Sequence, residues 1–273
     1  MRPSVVWRAL AAGALLTTFG RALADAVVSI MVLKEHGVGT QALAQPYLDR
    51  MATLAARQNG WSGASGKYFT SRGAAGAFIA SDHPHYGILS LPAFLAMRER
   101  YKLQIIGRVA VSIAGGRRYY LISRTAKDLA RCKGQTLATD HADDPFFVDR
   151  VVFAGQAKLA DFTLQATQRP LQTIKAVVTG QSSCALIDDA QKDALDHLAE
   201  KDGVAQVWES RELPPMPVVA FPSAPSAERA AFKKNLDNLC NGDGKSVCEE
   251  VGIDDLAETG DQDYAGVVAA YGK

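Results

Sequence analysis

The sequence predicts an α/β protein of two doubly wound lobes joined by two crossing strands. Three observations carry this. Short apolar runs rich in β-branched residues alternate with helical patterns along most of the chain, the rhythm of strand–helix–strand units. Two segments have the character of crossings: Gly115-Gly116 with the run Arg118–Ser123, and the proline-rich Pro214–Pro222. The 273 residues, 48% hydrophobic and 22% charged, suit one large domain or two small lobes. The lobe boundaries read as 25–114 plus 215–273 for the first and 115–214 for the second.

Residues 1–24 have the build of an export signal. Arg2 and Arg8 make a basic start, Leu10–Phe19 is apolar and small, and Ala22-Leu23-Ala24 is a small-x-small cleavage site before Asp25. The run is short of the ~20 residues that span a bilayer. No later stretch is long enough either, and no cysteine follows the cut to carry a lipid anchor. The expected location is the periplasm. Cleavage would take Arg2, Arg8 and Arg21 and no acid from a formal charge of +1. A chain so near neutrality gives no reason to expect a nucleic-acid partner or an anionic membrane surface.

In the first lobe, Ala26–Leu33 is near-continuous apolar, as in a strand covered on both faces. Lys34–Gly39 then turns at its carboxyl end. The next helix has Thr40 as cap and Pro46 near the first turn. Lys67–Thr70 reads as a second strand, Ser71–Ala80 as a short helix and Tyr86–Leu89 as a third strand. Ser90-Leu91-Pro92 opens a further helix with Ser90 as cap, and Leu103–Ile113 is another strand. After the return crossing the chain reads as helical, with Ser226 capping Ala227–Leu239 and a last helix at Asp263–Tyr271.

The second lobe is built on Asp128–Ile187. Thr136–Ala138 and Ala185–Ile187 are short apolar runs bounded by glycine and aspartate, with helical sequence between them. They read as parallel strands of a βα…αβ unit, whose carboxyl ends share one edge. Ligands of such sheets bind beyond that edge.

Asp128-Leu129-x-x-x-Lys133-Gly134-x-x-Leu137-Ala138, followed by Val177-Val178-x-Gly180-x-x-x-x-Ala185-Leu186-Ile187-Asp188, resembles the second lobe of periplasmic solute-binding proteins. Asp161-Phe162, Gln172–Ala176 and Ser210–Pro214 extend the likeness. It is most similar to the phosphate/phosphonate receptors of ABC importers, and covers most of the chain after residue 26. The resemblance implies the periplasmic binding protein type 2 fold, capture of a small solute by lobe closure, docking on an ABC permease, and a monomer without catalytic residues, cofactor or resident metal. It also implies a tail packed back on the first lobe.

Four cysteines in an exported chain invite pairing. Asn241-Gly242-Asp243-Gly244 is a tight turn that brings Cys240 and Cys248 together. Cys132 and Cys184 each stand at the amino end of a strand, where neighbouring strands place them side by side. Cys-x-x-Cys spacing is absent.

Candidate ligand-binding residues lie at the carboxyl ends of the strands. They are Lys34, His36, Thr40 and Ser90 in the first lobe, with Glu35, His83 and His85 near them, and Thr139, Asp140, His141 and Asp188 in the second, with Asp143, Asp144 and Asp189. The resemblance implies a Ser/Thr-rich anion-binding run after the Lys-Gly strand. Here Thr139-Asp140-His141-Ala142-Asp143-Asp144-Pro145 replaces it. Carboxylates accept hydrogen bonds and repel oxyanions. Asp143 or Asp144 either caps the helix opened by Pro145 or faces a cationic solute. The histidines and their acidic neighbours also have metal-ligating chemistry, though without short cluster spacing. Tyr119, Tyr120, Phe146, Phe147 and Trp208 read as core or hinge packing, and Arg150 and Arg169 as solvated or acid-paired. The function expected is the substrate-binding component of a phosphate/phosphonate-type ABC importer. The rivals are a solute-free periplasmic partner or sensor and a binder of metal or cationic solutes. No nucleophile stands beside a base at readable spacing, so an enzyme is disfavoured.

Overall fold

The computed structural model describes residues 27–36, 41–111, 115–199 and 201–273. The predicted export signal and Thr40 lie outside the described residues. Two mixed sheets organise the rest. In the first, β1 (Val28–Leu33), β2 (Ala64–Phe69) and β3 (Tyr86–Leu89) run parallel. β4 (Gln104–Val111) joins through β10 (Met216–Ala220), which is antiparallel to both β3 and β4, and β11 (Ile253–Glu258) closes the edge. The order is β11-β4-β10-β3-β1-β2. In the second sheet, β6 (Thr136–Thr139), β7 (Thr163–Ala166) and β8 (Cys184–Asp188) are parallel, while β5 (Tyr119–Ser123) pairs antiparallel with β8 and with β9 (Ala205–Glu209). The order is β7-β6-β8-β5-β9.

The chain passes from the first sheet to the second after β4 and returns at β10, so both crossings fall where the glycine pair and the proline run stand. The proline run is tolerated because Met216 and Pro217 lie at the start of β10. β11 departs from the helical reading of the tail. Ile253, Leu256 and Ala257 are only half-buried, so its apolar alternation is weak and the pairing with β4 decides it. β7 and β9 are edge strands of mostly exposed residues and carry no apolar signal.

Helix starts follow local chemistry with exceptions. α1 (Gln41–Asn59) holds Pro46 beyond its first turn. α2 (Arg72–Asp82) is capped by the Ser71 hydroxyl, which accepts from the Ala74 N–H. α3 (Leu91–Tyr101) starts after Ser90, whose hydroxyl makes no cap bond. α7 (Ser226–Leu239) takes Ser226 as its first residue, with Pro225 at the cap position.

The largest apolar cluster runs through both sheets. It joins Met31, Leu33 and Leu89 of the first to Leu121, Leu137 and Leu186 of the second, all fully buried. α9 (Asp261–Tyr271) contributes to the same cluster. Tyr264 packs edge-on against Phe94 of α3 at 6.0 Å. At its other end the Tyr271 carbonyl accepts from Arg150 of the second lobe at 2.8 Å. The tail therefore touches both lobes rather than the first alone.

Both expected disulfides are present, Cys132–Cys184 and Cys240–Cys248. Cys184 opens β8, but Cys132 ends the short helix α4 (Leu129–Cys132) rather than opening β6. The 240–248 bridge joins α7 to α8 (Gly244–Glu250).

Candidate functional site

The carboxyl ends of β1, β3, β6 and β8 meet between the lobes around a cavity of about 330 Å³. Strand register fixes who stands beside whom. Leu33 pairs with Leu89, and the Ser90 N–H donates to the Leu33 carbonyl at 2.8 Å, so Lys34 and Ser90 leave the first sheet side by side. Tyr119 pairs with Asp188 across β5 and β8, so the first crossing strand presents Tyr119 next to the last acid of β8. Lys34, His36, Ser90, His141 and Asp188 all line the cavity, with Glu35, Tyr119, Tyr120 and Asp189. Leu91, Pro92, Val109 and Met216 supply its apolar wall.

The two walls differ in character. On the first, Lys34 makes no side-chain hydrogen bond or ion pair among the described residues. The Ser90 hydroxyl is buried without a partner. Behind it, α3 begins with amino N–H groups that no side chain caps, a helix end that favours negative charge. On the second wall, Asp188 is 4% exposed and caps α6 (Asp189–Asp196), accepting from the Gln191 N–H at 2.9 Å. Burial pushes its carboxyl up to about 6 against the opposing pull of Lys34. Arg117 and Arg118 also reach the cavity. Arg117 is ion-paired to Glu212, and Arg118 to Glu209 at 2.5 Å and Glu212 at 3.0 Å.

Thr139 and Asp140 stand behind the lining rather than in it. The Thr139 hydroxyl accepts from the His141 N–H at 3.2 Å. Asp140 Oδ1 accepts from Thr173 at 3.2 Å and from Gln191 at 3.0 Å, while Oδ2 is buried without a partner. His141 is buried against His36 and Tyr119, with ring centroids 4.6 and 5.2 Å away. Burial pulls its imidazole well below the usual histidine range.

The acidic turn resolves into two roles. Asp144 caps the helical residues 145–152, accepting from the Phe147 N–H at 3.0 Å. Asp143 pairs across the cleft with His36 Nε2 at 3.3 Å. Burial pulls the His36 imidazole down, but the Asp143 hydrogen bond and the charges of Asp143, Asp140 and Glu35 raise it overall. Arg72, which local sequence did not single out, ion-pairs with Glu35 at 2.7 Å and with Asp144 at 2.9 Å. A basic residue in the first turn of a helix opposes the macrodipole, and that mismatch was its one sequence signal.

The remaining candidates lie elsewhere. His85 Nδ1 accepts from the Ser29 N–H at 3.0 Å, and His83 ends α2 in the left-handed region. Phe147 is buried, Phe146 is exposed and Trp208 donates to Gln156 at 3.1 Å. Arg169 stands at the start of α5 (Pro170–Val178). No group of three or more His, Cys, Asp or Glu among the described residues is arranged to hold a metal ion.

Gly115 shapes the cavity floor. Its φ of +68° favours glycine, and a Cβ there would collide with the Asp188 carboxylate. Gly115→Ala is expected to destabilise by about 1–3 kcal/mol, read by urea denaturation. An unchanged midpoint would show that the crossing relaxes around a methyl group.

Residues 41–264 match the family model of ABC transporter phosphonate periplasmic substrate-binding proteins. The chain belongs to this family. Solved structures place this receptor in the same fold. A binding protein component of an ABC phosphonate transporter from Pseudomonas aeruginosa aligns over 88% of this chain and 84% of its own, at 12% identity and a TM-score of 0.64. A Xanthomonas citri protein bound to ATP aligns over 90% and 96%, at 9% identity and TM-score 0.71. A Prochlorococcus marinus protein in complex with methylphosphonate aligns over 90% and 97%, at 9% identity and TM-score 0.64. No curated protein is significantly similar to the receptor in sequence. No described helix is long and apolar enough to cross a membrane.

Proposed function

We propose that this receptor captures a small zwitterion, holding its anionic end on the first lobe and its amine on the second. One observation carries the reading: the unpartnered Ser90 hydroxyl and the unpaired Lys34 share a cavity with the buried carboxylate of Asp188. Lys34, Ser90 and the open start of α3 complement an oxyanion. An ammonium beside Asp188 would offset the burial of that carboxylate. The apolar wall suits a short aliphatic spacer, and the volume is at the small end of ligand pockets. The family and the methylphosphonate-bound neighbour favour phosphonate as the anionic group. His36 and His141 stand by as hydrogen-bonding groups, with Thr139 and Asp140 supporting them.

In this reading residues 1–24 are removed on export, residues 25–114 with 215–273 form one lobe and 115–214 the other, and the closed monomer delivers its solute to a permease. Capture requires only tighter binding to the closed arrangement and no covalent step. Titration calorimetry with a short aminoalkylphosphonate, the matching alkylphosphonate and the matching alkylamine tests the proposal. The zwitterion is expected to bind at least tenfold more tightly than either half. Ser90→Ala is expected to weaken the alkylphosphonate by about tenfold, the scale of a hydrogen bond to a charged group. Equal affinity for the alkylphosphonate and the zwitterion would remove the amine site, and tighter binding of the alkylamine alone would remove the anion site.

A further inference from the structure

The cleft holds a second polar assembly that spans the two lobes, beside the proposed solute site and sharing Glu35 and His36 with its lining. Arg72 sits in the first turn of α2, on the first lobe. Its guanidinium meets Glu35 of its own lobe at 2.7 Å and reaches Asp144 of the other lobe at 2.9 Å. Both carboxylates are buried, Glu35 at 5% exposure and Asp144 at 6%. Asp144 is held from three further directions. It accepts from the Phe147 N–H at 3.0 Å and from the Tyr271 hydroxyl at 3.2 Å, and its own carbonyl accepts from Val148. Beside it the His36–Asp143 pair makes a second bridge between the lobes.

A carboxylate seated on the amino end of a helical segment and gripped by an arginine from the facing lobe has the partners of a bound oxyanion. The difference is that this anion belongs to the chain. We propose that Asp144 is a built-in anion which, through Arg72, draws the two lobes together in the absence of solute. Closure in a two-lobed receptor is a two-state equilibrium that a ligand shifts by bridging both sides. Here a covalently attached carboxylate supplies one such bridge permanently. It needs no ligand concentration, so the solute-free population is weighted toward the closed arrangement. Removing Arg72 leaves the Glu35 and Asp144 carboxylates buried without their shared guanidinium, and removing the Asp144 charge leaves Arg72 held by Glu35 of its own lobe alone. Either change takes away the interlobe attraction, which favours the open form. This goes beyond the zwitterion reading and does not depend on it.

The test measures lobe separation in solute-free protein. Dyes on Lys175→Cys of the second lobe and Lys234→Cys of the first, introduced beside the two intact disulfides, report interlobe distance by energy transfer. Small-angle scattering gives the overall dimension without labels. Wild type is expected to show a predominantly short-distance population. Arg72→Met and Asp144→Asn are each expected to move most of it to longer distance, and the double variant to move it no further, since one contact is lost in all three. Asn is a good helix cap, so Asp144→Asn leaves the helix start intact while removing the charge. Circular dichroism checks that each variant is folded. An open wild type overturns the proposal, as does a closed population retained by either single variant. If the receptor closes as expected but binds none of the calorimetry ligands, the zwitterion reading fails and this one stands.

Discussion

Cys132→Ser with Cys184→Ser is expected to lower stability by about 4 kcal/mol, since the bridge closes a loop of 52 residues and chain-entropy loss in the unfolded state grows with loop length. The Cys240–Cys248 bridge spans only 8 residues, and the same argument gives its removal about 2.5 kcal/mol. The larger effect has a structural side. Cys132 and Cys184 are fully buried in the cluster that runs through both lobes, and Cys184 opens the strand that ends at Asp188. The loss is therefore expected to appear both in urea denaturation and as weaker solute binding. Removing the 240–248 bridge, far along the first lobe, should change stability while leaving affinity intact. If the two double variants lose equal stability, loop length is not what governs these bridges.

Asp188→Asn is expected to stabilise the solute-free protein at pH 8 by at most about 3 kcal/mol, and to leave it nearly unchanged near pH 4. Burial raises the native carboxyl from its ordinary 3.8 to about 6. Between those values the folded state holds a proton that the unfolded state has released, so stability falls as pH rises through the window. A carboxyl lifted that far costs the fold about 3 kcal/mol once both states are ionised. Asn keeps the cap on α6 and carries no charge, so the destabilisation disappears. His36 works in the same direction. Its raised imidazole contributes stability that is complete below its unfolded value and fades as pH rises through the folded one. His141 works against both. It is buried neutral, so its contribution is lost as pH falls below the ordinary histidine range. Thermal melts of wild type and Asp188→Asn at pH 4 and pH 8 isolate the Asp188 share. A difference between the two proteins that is equal at both pH values would sink the assignment. The same substitution is expected to abolish the preference for a zwitterion over its anionic half, because Asn presents no charge to the ammonium.

Much of this architecture is written locally. The β-branched and apolar runs of β1, β3, β6 and β8 bury both faces, and such runs identify themselves. Ser71–Ala80 reads as helical, and the structure makes Ser71 the residue just before α2, its hydroxyl accepting from the free Ala74 N–H. Lys34, Ser90 and Asp188 could be expected to line an interlobe cavity because strand ends mark the rim of an α/β sheet. Other residues resist such reading. Ser90 stands in a cap position with no cap bond, and only the packed structure leaves its hydroxyl facing the cavity. Thr139 and Asp140 have the same local setting as His141, yet only the imidazole reaches the cavity. β11 is a strand because β4 lies beside it, not because its residues alternate.

The two wound lobes, the crossings, both disulfides and the strand ends that line the cavity were legible in the order of residues, because strand runs, caps and turn residues act over a few positions. Which charges meet became visible only once the lobes were packed together. Arg72 lies 37 residues from Glu35 and further still from Asp144, and the ion pairs among them follow from lobe packing rather than any local spacing. Burial likewise selected the acid that holds its proton at unusual pH, since desolvation depends on the surroundings a folded chain assembles and not on the neighbours in sequence.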